Sequence, residues 1–217
     1  MIMNSELLAL LAWYGTLLLI GWGSFPLAFT LFRHFPDRGF SFSKTLGLLL
    51  TTYFIWMASS LGFTQYHRTT CFVVTAGFFA ANGAIALFKR KQIRKCISQQ
   101  WRLIFGLEGL FLIFLLGAVL IRMYNPDLTG AEKEADFTLL NAILHSTAFP
   151  PKDTWFAGAA INYYYFGYVI WATVIKLSGV IAPIGCNLAL ATIVALAVSN
   201  SFGLVYRLTQ RVSYSLF

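Results

Sequence analysis

The chain has 217 residues, of which 58% are hydrophobic and only 11% are charged. Soluble domains carry roughly 25% charged residues, so this composition excludes a soluble globular domain and indicates an integral membrane protein. The net charge is +8, and six of the 16 Lys and Arg residues lie between positions 89 and 102, directly beside apolar segments. That placement is typical of a cytoplasmic loop and argues against a nucleic-acid partner.

Apolar runs long enough to cross about 30 Å of hydrocarbon need roughly 20 helical residues. The first run is too long for a cleavable signal peptide and has no basic leader, so we interpret it as a retained span. We predict an all-α fold, a polytopic transmembrane helix bundle of about six spans that forms a single domain over residues 1–217, with one outer loop at 124–162. The predicted spans are 7–32, 45–63, 69–88, 103–123, 163–182 and 187–208.

The bias of Lys and Arg toward cytoplasmic loops sets the expected orientation. With the 89–102 loop in the cytoplasm, the first loop is also cytoplasmic, and the N-terminus and the 124–162 loop lie outside. Six spans then leave ten basic residues inside, Lys176 among them, and six outside, Arg207 and Arg211 among them. Two outer arginines fit this bias badly, and they would fit better if the natural chain continued into more helices.

The 124–162 loop is the long polar stretch of the chain and holds five of its eight acidic residues. Asn, Pro and Gly residues at 125–130 are turn signals. Residues 131–145 then form a predicted short amphipathic helix that suits the membrane interface. If the chain has a reactive site, we expect it in this loop. The apolar side of the predicted helix carries Phe137, Leu140, Ile143 and Leu144.

Glu132 and Asp136 are four residues apart, so on a helix their carboxylates share one face. Such a pair can perturb each other's ionisation or hold a divalent cation. Lys133 offers an alternative, because it precedes Asp136 by three residues and can neutralise it. The local sequence by itself favours a third interpretation, a solvated helix start, since acidic residues are common in the first turn of a helix.

The end of the loop places another acid among aromatic residues. Asp153 and Trp155 suit a sugar-facing site and equally suit an ordinary turn with an interfacial Trp. The tyrosines at 163–165 are expected as an aromatic belt at the level of the lipid head groups. Because successive helical residues point about 100° apart, at least one of the three is expected to face the bundle or the loop.

Glu108 lies in the fourth predicted span, and an acid inside a membrane is a functional hypothesis by default. Its position near the basic end of that span predicts an ion pair with Arg102 or with a neighbouring loop. The three histidines are scattered, and their spacing predicts neither a metal site nor a catalytic triad.

Between residues 122 and 180 four ordered blocks stand out: R-M-Y-N-P-D-L, G-A-E-K-E-A-D-F-T-L-L-N-A-I-L, F-P-P-K-D-T-W-F-A-G and I-N-Y-Y-Y-F-G-Y. They cover about a quarter of the chain and resemble the YYY-signature membrane-protein family (Chlor_Arch_YYY), found in chloroflexi, archaea and some other bacteria. The family usually has a Pro or similar residue at the position of Glu134, Met at Ala135, and often His at Tyr168.

That family resembles the GT-C class of polytopic glycosyltransferases, which take a sugar from a polyprenyl-phosphate carrier and use an acidic residue in a large outer loop. The resemblance implies sugar transfer to an acceptor at the outer face of a prokaryotic plasma membrane. It implies Asp136 as the catalytic base, with Glu132 beside it and Asp153 as the second candidate.

The resemblance also implies positive charge near the leaving phosphate. A divalent cation such as Mg²⁺ or Mn²⁺, held by Glu132 and Asp136, is one source of that charge. Basic side chains are the other source, and the candidates are Lys133, Lys152 and Arg122. The residues expected to contact the sugar or its carrier are Trp155, Asn162, Tyr163, Tyr164 and Tyr165.

Relatives are commonly longer, with more helices, so the chain is expected to be an N-terminal part, a truncated copy or a subunit that works with a larger membrane protein. A non-catalytic assembly subunit is therefore a second hypothesis, and the sequence leaves open whether the chain is an enzyme. A transporter ranks lower. Transporters carry polar or broken segments at mid-membrane, and here such groups are few apart from Gly21, Gly23 and Pro26.

Overall fold

The computed structural model describes residues 2–130 and 132–211, where the regular elements are all α-helices. Four of these helices are long and apolar enough to cross a membrane, so the predicted polytopic helical bundle is confirmed. The helices are α1 (Ile2–Leu31), α2 (Phe40–Ser60), α3 (Arg68–Phe88), α4 (Arg90–Tyr124), α5 (Lys133–His145), α6 (Phe166–Ser178) and α7 (Ala182–Thr209).

The candidate spans are Ser5–Leu31 within α1 and the whole of α3, α4 and α7. With 21 residues, α2 has a length of about 30 Å, comparable to the hydrocarbon thickness. The predicted span at 163–182 has a different structure. It contains α6, whose 13 residues extend only about 20 Å, which is too short to cross the hydrocarbon.

The chain divides into two compact units, and α1, α2, α3 and α7 have residues in both. Unit 1 comprises residues 1–17, 49–77 and 125–189. Unit 2 comprises residues 18–48, 78–124 and 190–217. The acidic 124–162 segment therefore belongs almost entirely to unit 1, and the 89–102 basic segment belongs to unit 2.

Helices in unit 2 approach closely at glycines. A Cβ atom on Gly47 of α2 would collide with Ser24 of α1, and one on Gly203 of α7 would collide with Ser41 of α2. Lipid tails are as apolar as leucine, so membrane helices associate through such close contacts and through polar bonds between helices. One such bond runs from the Asn200 amide to the Thr45 hydroxyl, at 2.9 Å.

A buried ion pair crosses unit 2. Lys44 Nζ of α2 lies 2.5 Å from Glu108 Oε2 of α4, and only 7% and 14% of the two side chains are exposed. The Lys44 ammonium also sits 4.6 Å from the centroid of the Phe111 ring. The acid in the fourth span thus pairs with Lys44, not with Arg102. The predicted second span began at residue 45 and left Lys44 in the first loop, but the structure buries Lys44 in the first turns of α2.

In unit 1, α5 packs against α6. The Lys176 ammonium, near the end of α6, donates a hydrogen bond of 3.0 Å to the Leu144 carbonyl at the end of α5. It donates a second one, of 3.4 Å, to the Tyr66 carbonyl between α2 and α3. Gly179 then ends α6 in the left-handed conformation, with φ +75°. The amide of Asn187, in α7, donates 3.0 Å to the Pro126 carbonyl, which follows α4.

These contacts concern three basic residues whose side of the membrane was predicted. Lys176 lies beside the 124–162 segment through its bond to Leu144. Gln210, just after α7, lines one cavity with Arg33 and Lys95 of unit 2. Arg207 and Arg211 are close to Gln210 in the sequence. The side of the membrane on which each of these residues lies stays a prediction.

We expect the Lys44–Glu108 pair to be strongly coupled. Lys44→Met should lower the free energy of unfolding by about 3 kcal/mol, because breaking a buried pair leaves a desolvated charge poorly compensated. The double variant Lys44→Met/Glu108→Gln should recover most of that loss. Thermal unfolding in detergent measures both, with the exposed Lys91→Met as control, and additive effects of the two substitutions would contradict the pairing.

The position of α7 predicts a labelling pattern. In a variant without native cysteines, Gln92→Cys and Gln210→Cys should react with a membrane-impermeant maleimide from the same side of sealed vesicles. A crossing by the 163–182 segment would put them on opposite sides, so opposite labelling would show that α6 spans the membrane. Labelling after lysis checks that both cysteines are reactive.

Candidate functional site

The predicted amphipathic helix of the 124–162 segment is α5, at Lys133–His145. Ala131, where the prediction began that helix, lies outside the described residues. The buried side of α5 includes Leu140 and Ile143, as predicted, whereas Phe137 and Leu144 are only partly buried. The adjacent Leu139 and Ala142 form a small core with residues around the start of α6. That core comprises Leu139, Ala142, Ile161, Tyr165 and Tyr168.

Asp136 and Tyr168 form the central polar contact between α5 and α6. The Tyr168 hydroxyl donates to Asp136 Oδ1 over 2.5 Å, and both side chains are partly buried. Burial raises the pKa of Tyr168, and the hydrogen bond to Asp136 and its negative charge raise it further. The phenol thus stays a donor and holds the carboxylate in one orientation, with its other oxygen available as a proton acceptor.

Glu132 is the second acid near this contact. It is the N-cap residue of α5, where its carbonyl accepts the Asp136 N–H over 2.9 Å. Its exposed side chain makes no capping bond to the helix, but its charge contributes to the raised pKa of Tyr168. The two predicted carboxylates therefore both act on the Tyr168 hydroxyl. The neighbouring acid Glu134 has a local role, because its carboxylate accepts the Gly130 N–H over 3.0 Å.

The acids of α5 supply few ligands for a metal ion. Within 2–130 and 132–211, no group of three or more His, Cys, Asp and Glu side chains is placed to hold a metal ion. Glu132 and Asp136 supply two carboxylates, and one oxygen of Asp136 already accepts the Tyr168 hydrogen bond. Mg²⁺ keeps several waters and is often held by one or two carboxylates together with substrate phosphates, so a cation held by Glu132 and Asp136 stays a prediction.

Asp153 organises the loop in which it lies. Its Oδ1 accepts the Trp155 N–H over 2.8 Å and the Phe156 N–H over 3.0 Å, an arrangement typical of an Asx turn. The Asp153 N–H donates 3.0 Å to the Ala159 carbonyl, and Lys152 forms an isolated bridge with Ala160. Of the two predicted interpretations, these contacts support the turn, and a role of Asp153 as second base stays a prediction.

The three tyrosines separate into two groups, and one of them faces inward as predicted. The helical spacing behind that prediction does not apply, because α6 begins only at Phe166. Tyr165 turns inward, where its hydroxyl accepts the Trp56 indole N–H over 3.2 Å and its ring stacks on Phe149 at 6.0 Å. Tyr163 and Tyr164 are exposed and contact each other, with ring centroids 4.6 Å apart. Tyr163 also contributes to the raised pKa of Tyr168.

The remaining predicted residues occupy less central positions. Lys133 is the first residue of α5 and is partly buried, whereas Lys152 and Asn162 are exposed. Trp155 is 66% exposed in the Asp153 loop. Arg122, in the last turn of α4, belongs to unit 2. Unit 1 thus contains every predicted site residue except Arg122.

A family model described as an uncharacterized membrane protein, DUF2298, matches residues 50–216, which include the 124–162 segment and both α5 and α6. The chain belongs to this family. The DUF2298 match supports the membrane assignment, and the acids, Tyr168 and the tyrosine run all lie within it. No curated protein and no solved structure matches the chain.

Tyr168 is a functional candidate that the sequence analysis did not predict as a site residue. The resemblance to the YYY-signature family gave a signal for it, since that resemblance implies His at this position in many members. Tyr and His can each donate a hydrogen bond to a carboxylate. The exchange therefore suits a residue whose task is to orient Asp136.

We expect the Tyr168 phenol to ionise at a clearly higher pH than exposed tyrosines. Burial makes the largest contribution to the raised pKa of Tyr168, and the Asp136 carboxylate makes the next largest. Asp136→Asn removes the negative charge, so it should lower the Tyr168 pKa toward its ordinary value. Tyrosinate absorbance in an alkaline titration, with the Tyr168→Phe curve subtracted, measures this. Asp127→Asn is the control, and an unchanged Tyr168 curve in Asp136→Asn would contradict the contact.

Proposed function

We propose that the chain is a GT-C-like glycosyltransferase, or part of one, that moves a sugar from a polyprenyl-phosphate carrier to an acceptor hydroxyl at the outer membrane face. The observation that carries the proposal is the Tyr168–Asp136 hydrogen bond. It fixes a partly exposed carboxylate in the acidic segment between two membrane helices. A preoriented carboxylate at hydrogen-bonding reach of a hydroxyl is what general-base catalysis requires.

In the proposed reaction, Asp136 accepts the proton of the acceptor hydroxyl as that oxygen attacks the anomeric carbon of the sugar. The bond between the anomeric carbon and the carrier phosphate oxygen breaks, and the phosphate leaves with the electron pair. The proton then passes from Asp136 to solvent. Tyr168 acts as a positioning residue, because it holds Oδ1 while Oδ2 receives the proton.

The leaving phosphate needs positive charge, and Lys133 and Lys152 are the candidates within unit 1. Lys133 adjoins the acids in sequence, so it supports the proposal more than the exposed Lys152 does. The exposed rings of Tyr163, Tyr164 and Trp155 suit stacking on a sugar ring or contact with the carrier at the interface. We propose these three as the surface that receives the carrier-linked sugar.

The proposal includes an orientation, in which the N-terminus and the 124–162 segment lie outside and the 89–102 segment lies in the cytoplasm. The positions of Arg207 and Arg211 support it, because they add to the basic residues at the end assigned to the cytoplasm.

Asp136→Asn tests the proposed base. It should reduce sugar transfer by roughly 100- to 10,000-fold, the usual contribution of a general base, while membrane insertion stays normal. The assay is transfer from a radiolabelled polyprenyl-phosphate sugar to acceptors in membranes that contain the full chain. Two matched controls should keep activity. Asp127→Asn changes an exposed acid of the same segment, and Asp153→Asn retains the side-chain oxygen that accepts the two backbone N–H groups.

Retained transfer by Asp136→Asn would overturn the proposed base. Loss of transfer in Asp153→Asn, with a normal thermal unfolding curve, would move the base to Asp153. A wild-type chain that transfers no sugar alone but co-purifies with a larger membrane protein would support the assembly-subunit hypothesis instead.

A further inference from the structure

A cavity of about 620 Å³ opens in unit 2 beside the end of α1, the start of α4 and the end of α7. Its volume falls within the range of about 300–1,000 Å³ found for small-molecule sites. Arg33, Arg38, Lys95 and His34 line it, and we call it the basic cavity. The described residues of its wall include no carboxylate.

The nearest acid in sequence offsets only part of this positive charge. Asp37 is buried, and its two carboxylate oxygens accept the N–H groups of Gly39 over 3.1 Å and Ser41 over 2.7 Å. Its charge also acts on Cys96 in the cavity wall, but it is one acid against the cations of Arg33, Arg38 and Lys95. The basic cavity keeps an excess of positive charge, which favours an anionic ligand. Amide groups that can add hydrogen bonds come from Gln92, Gln99, Gln100 and Gln210.

Arg38 is held in place for such a ligand. Its guanidinium lies 5.4 Å from the centroid of the Phe29 ring and donates 2.8 Å to the Arg33 carbonyl. That bond uses one N–H group, and a guanidinium has several others in a fork that matches phosphate oxygens. The residue itself is left-handed, with φ +53°. Glycine would fit this backbone with less strain, so folding alone does not require arginine here.

An apolar groove of about 450 Å³ adjoins the basic cavity, and the two share Gln99 and Gln100. The groove runs along α4 and α7 and is lined by apolar side chains that include Leu103, Leu110 and Phe202. At Gln100 the backbone of α4 departs from helical geometry, with φ −111° and ψ 17°. A charged compartment thus continues directly into an apolar one, at the end of helices that cross the membrane.

We propose that this composite site binds a phosphate-headed membrane lipid, with its phosphate in the basic cavity and a hydrocarbon chain in the apolar groove. Arginine and lysine recognise the phosphate, and the groove covers part of the chain. Basic pockets between membrane helices on the cytoplasmic side suit anionic head groups. The proposal stands apart from sugar transfer, because it uses none of the residues assigned to that reaction.

Binding of dioctanoyl phosphatidic acid to the purified full chain in detergent tests the head-group half of the site. Arg38→Gly and Lys95→Gln should each weaken binding by about tenfold, the usual effect of losing one charge-assisted contact. Lys91→Gln, the same change on the same helix outside the cavity wall, should have no effect. Arg38→Gly should unfold at the same temperature as the wild type or higher. If it fails to fold, Lys95→Gln on the exposed side of α4 still decides the result.

Two further probes test the groove half. Dioctanoylglycerol, which has the same chains but no phosphate, should bind at least tenfold more weakly. Gly106→Leu adds bulk to the groove at a position with open space around the new Cβ. It should weaken the binding of phosphatidic acid but not the binding of inorganic phosphate. Gly109→Leu, equally open but outside the groove, is its control.

If Lys91→Gln weakened the binding of phosphatidic acid as much as Lys95→Gln, the proposed site would be wrong. If inorganic phosphate bound as tightly as phosphatidic acid and Gly106→Leu had no effect, the lipid would not be the ligand. The site would then bind a soluble phosphate. Equal binding of dioctanoylglycerol and phosphatidic acid would overturn the role of the phosphate.

Discussion

Hydrocarbon offers no hydrogen-bonding partner, so every backbone polar group inside the membrane must find one within the protein. The long helices satisfy their own backbones, and the hydroxyls of Ser24, Thr30 and Ser199 each donate to the carbonyl four residues earlier. Lys44 and Glu108 obey the same constraint, since each supplies the other's charge partner. Glycine contacts complete the packing, because apolar side chains alone gain little from leaving lipid for another helix.

The same constraint limits where the chain can place titratable groups that react or bind ligands. The titratable groups of the 124–162 segment and those of the basic loops differ in character. The 124–162 segment contains the acids, and Tyr168 orients Asp136 there. The basic loops contain the guanidinium and ammonium groups around one cavity. A carboxylate suits the acceptance of a proton, and a cationic cavity suits the binding of phosphate.

The short helix α6 has the largest effect on how the chain is arranged. Its sequence is as apolar as a span, but it ends at Gly179 and stays with α5 through the Lys176 bond to Leu144. The predicted orientation counts it as a span, so the expected sides of Lys176, Arg207 and Arg211 all depend on this one helix.

The sequence by itself determined the membrane class, the helical bundle, the long helices and the amphipathic helix at 133–145, because hydropathy and periodicity are local properties that sum over neighbouring residues. It also singled out Asp136 as the leading acid, through the family resemblance. Only the tertiary structure decided that Tyr168 holds Asp136, that Lys44 pairs with Glu108, and that α6 stops short. Those outcomes depend on contacts between residues 32 and 64 positions apart, and no local pattern encodes which distant side chain will satisfy a buried charge.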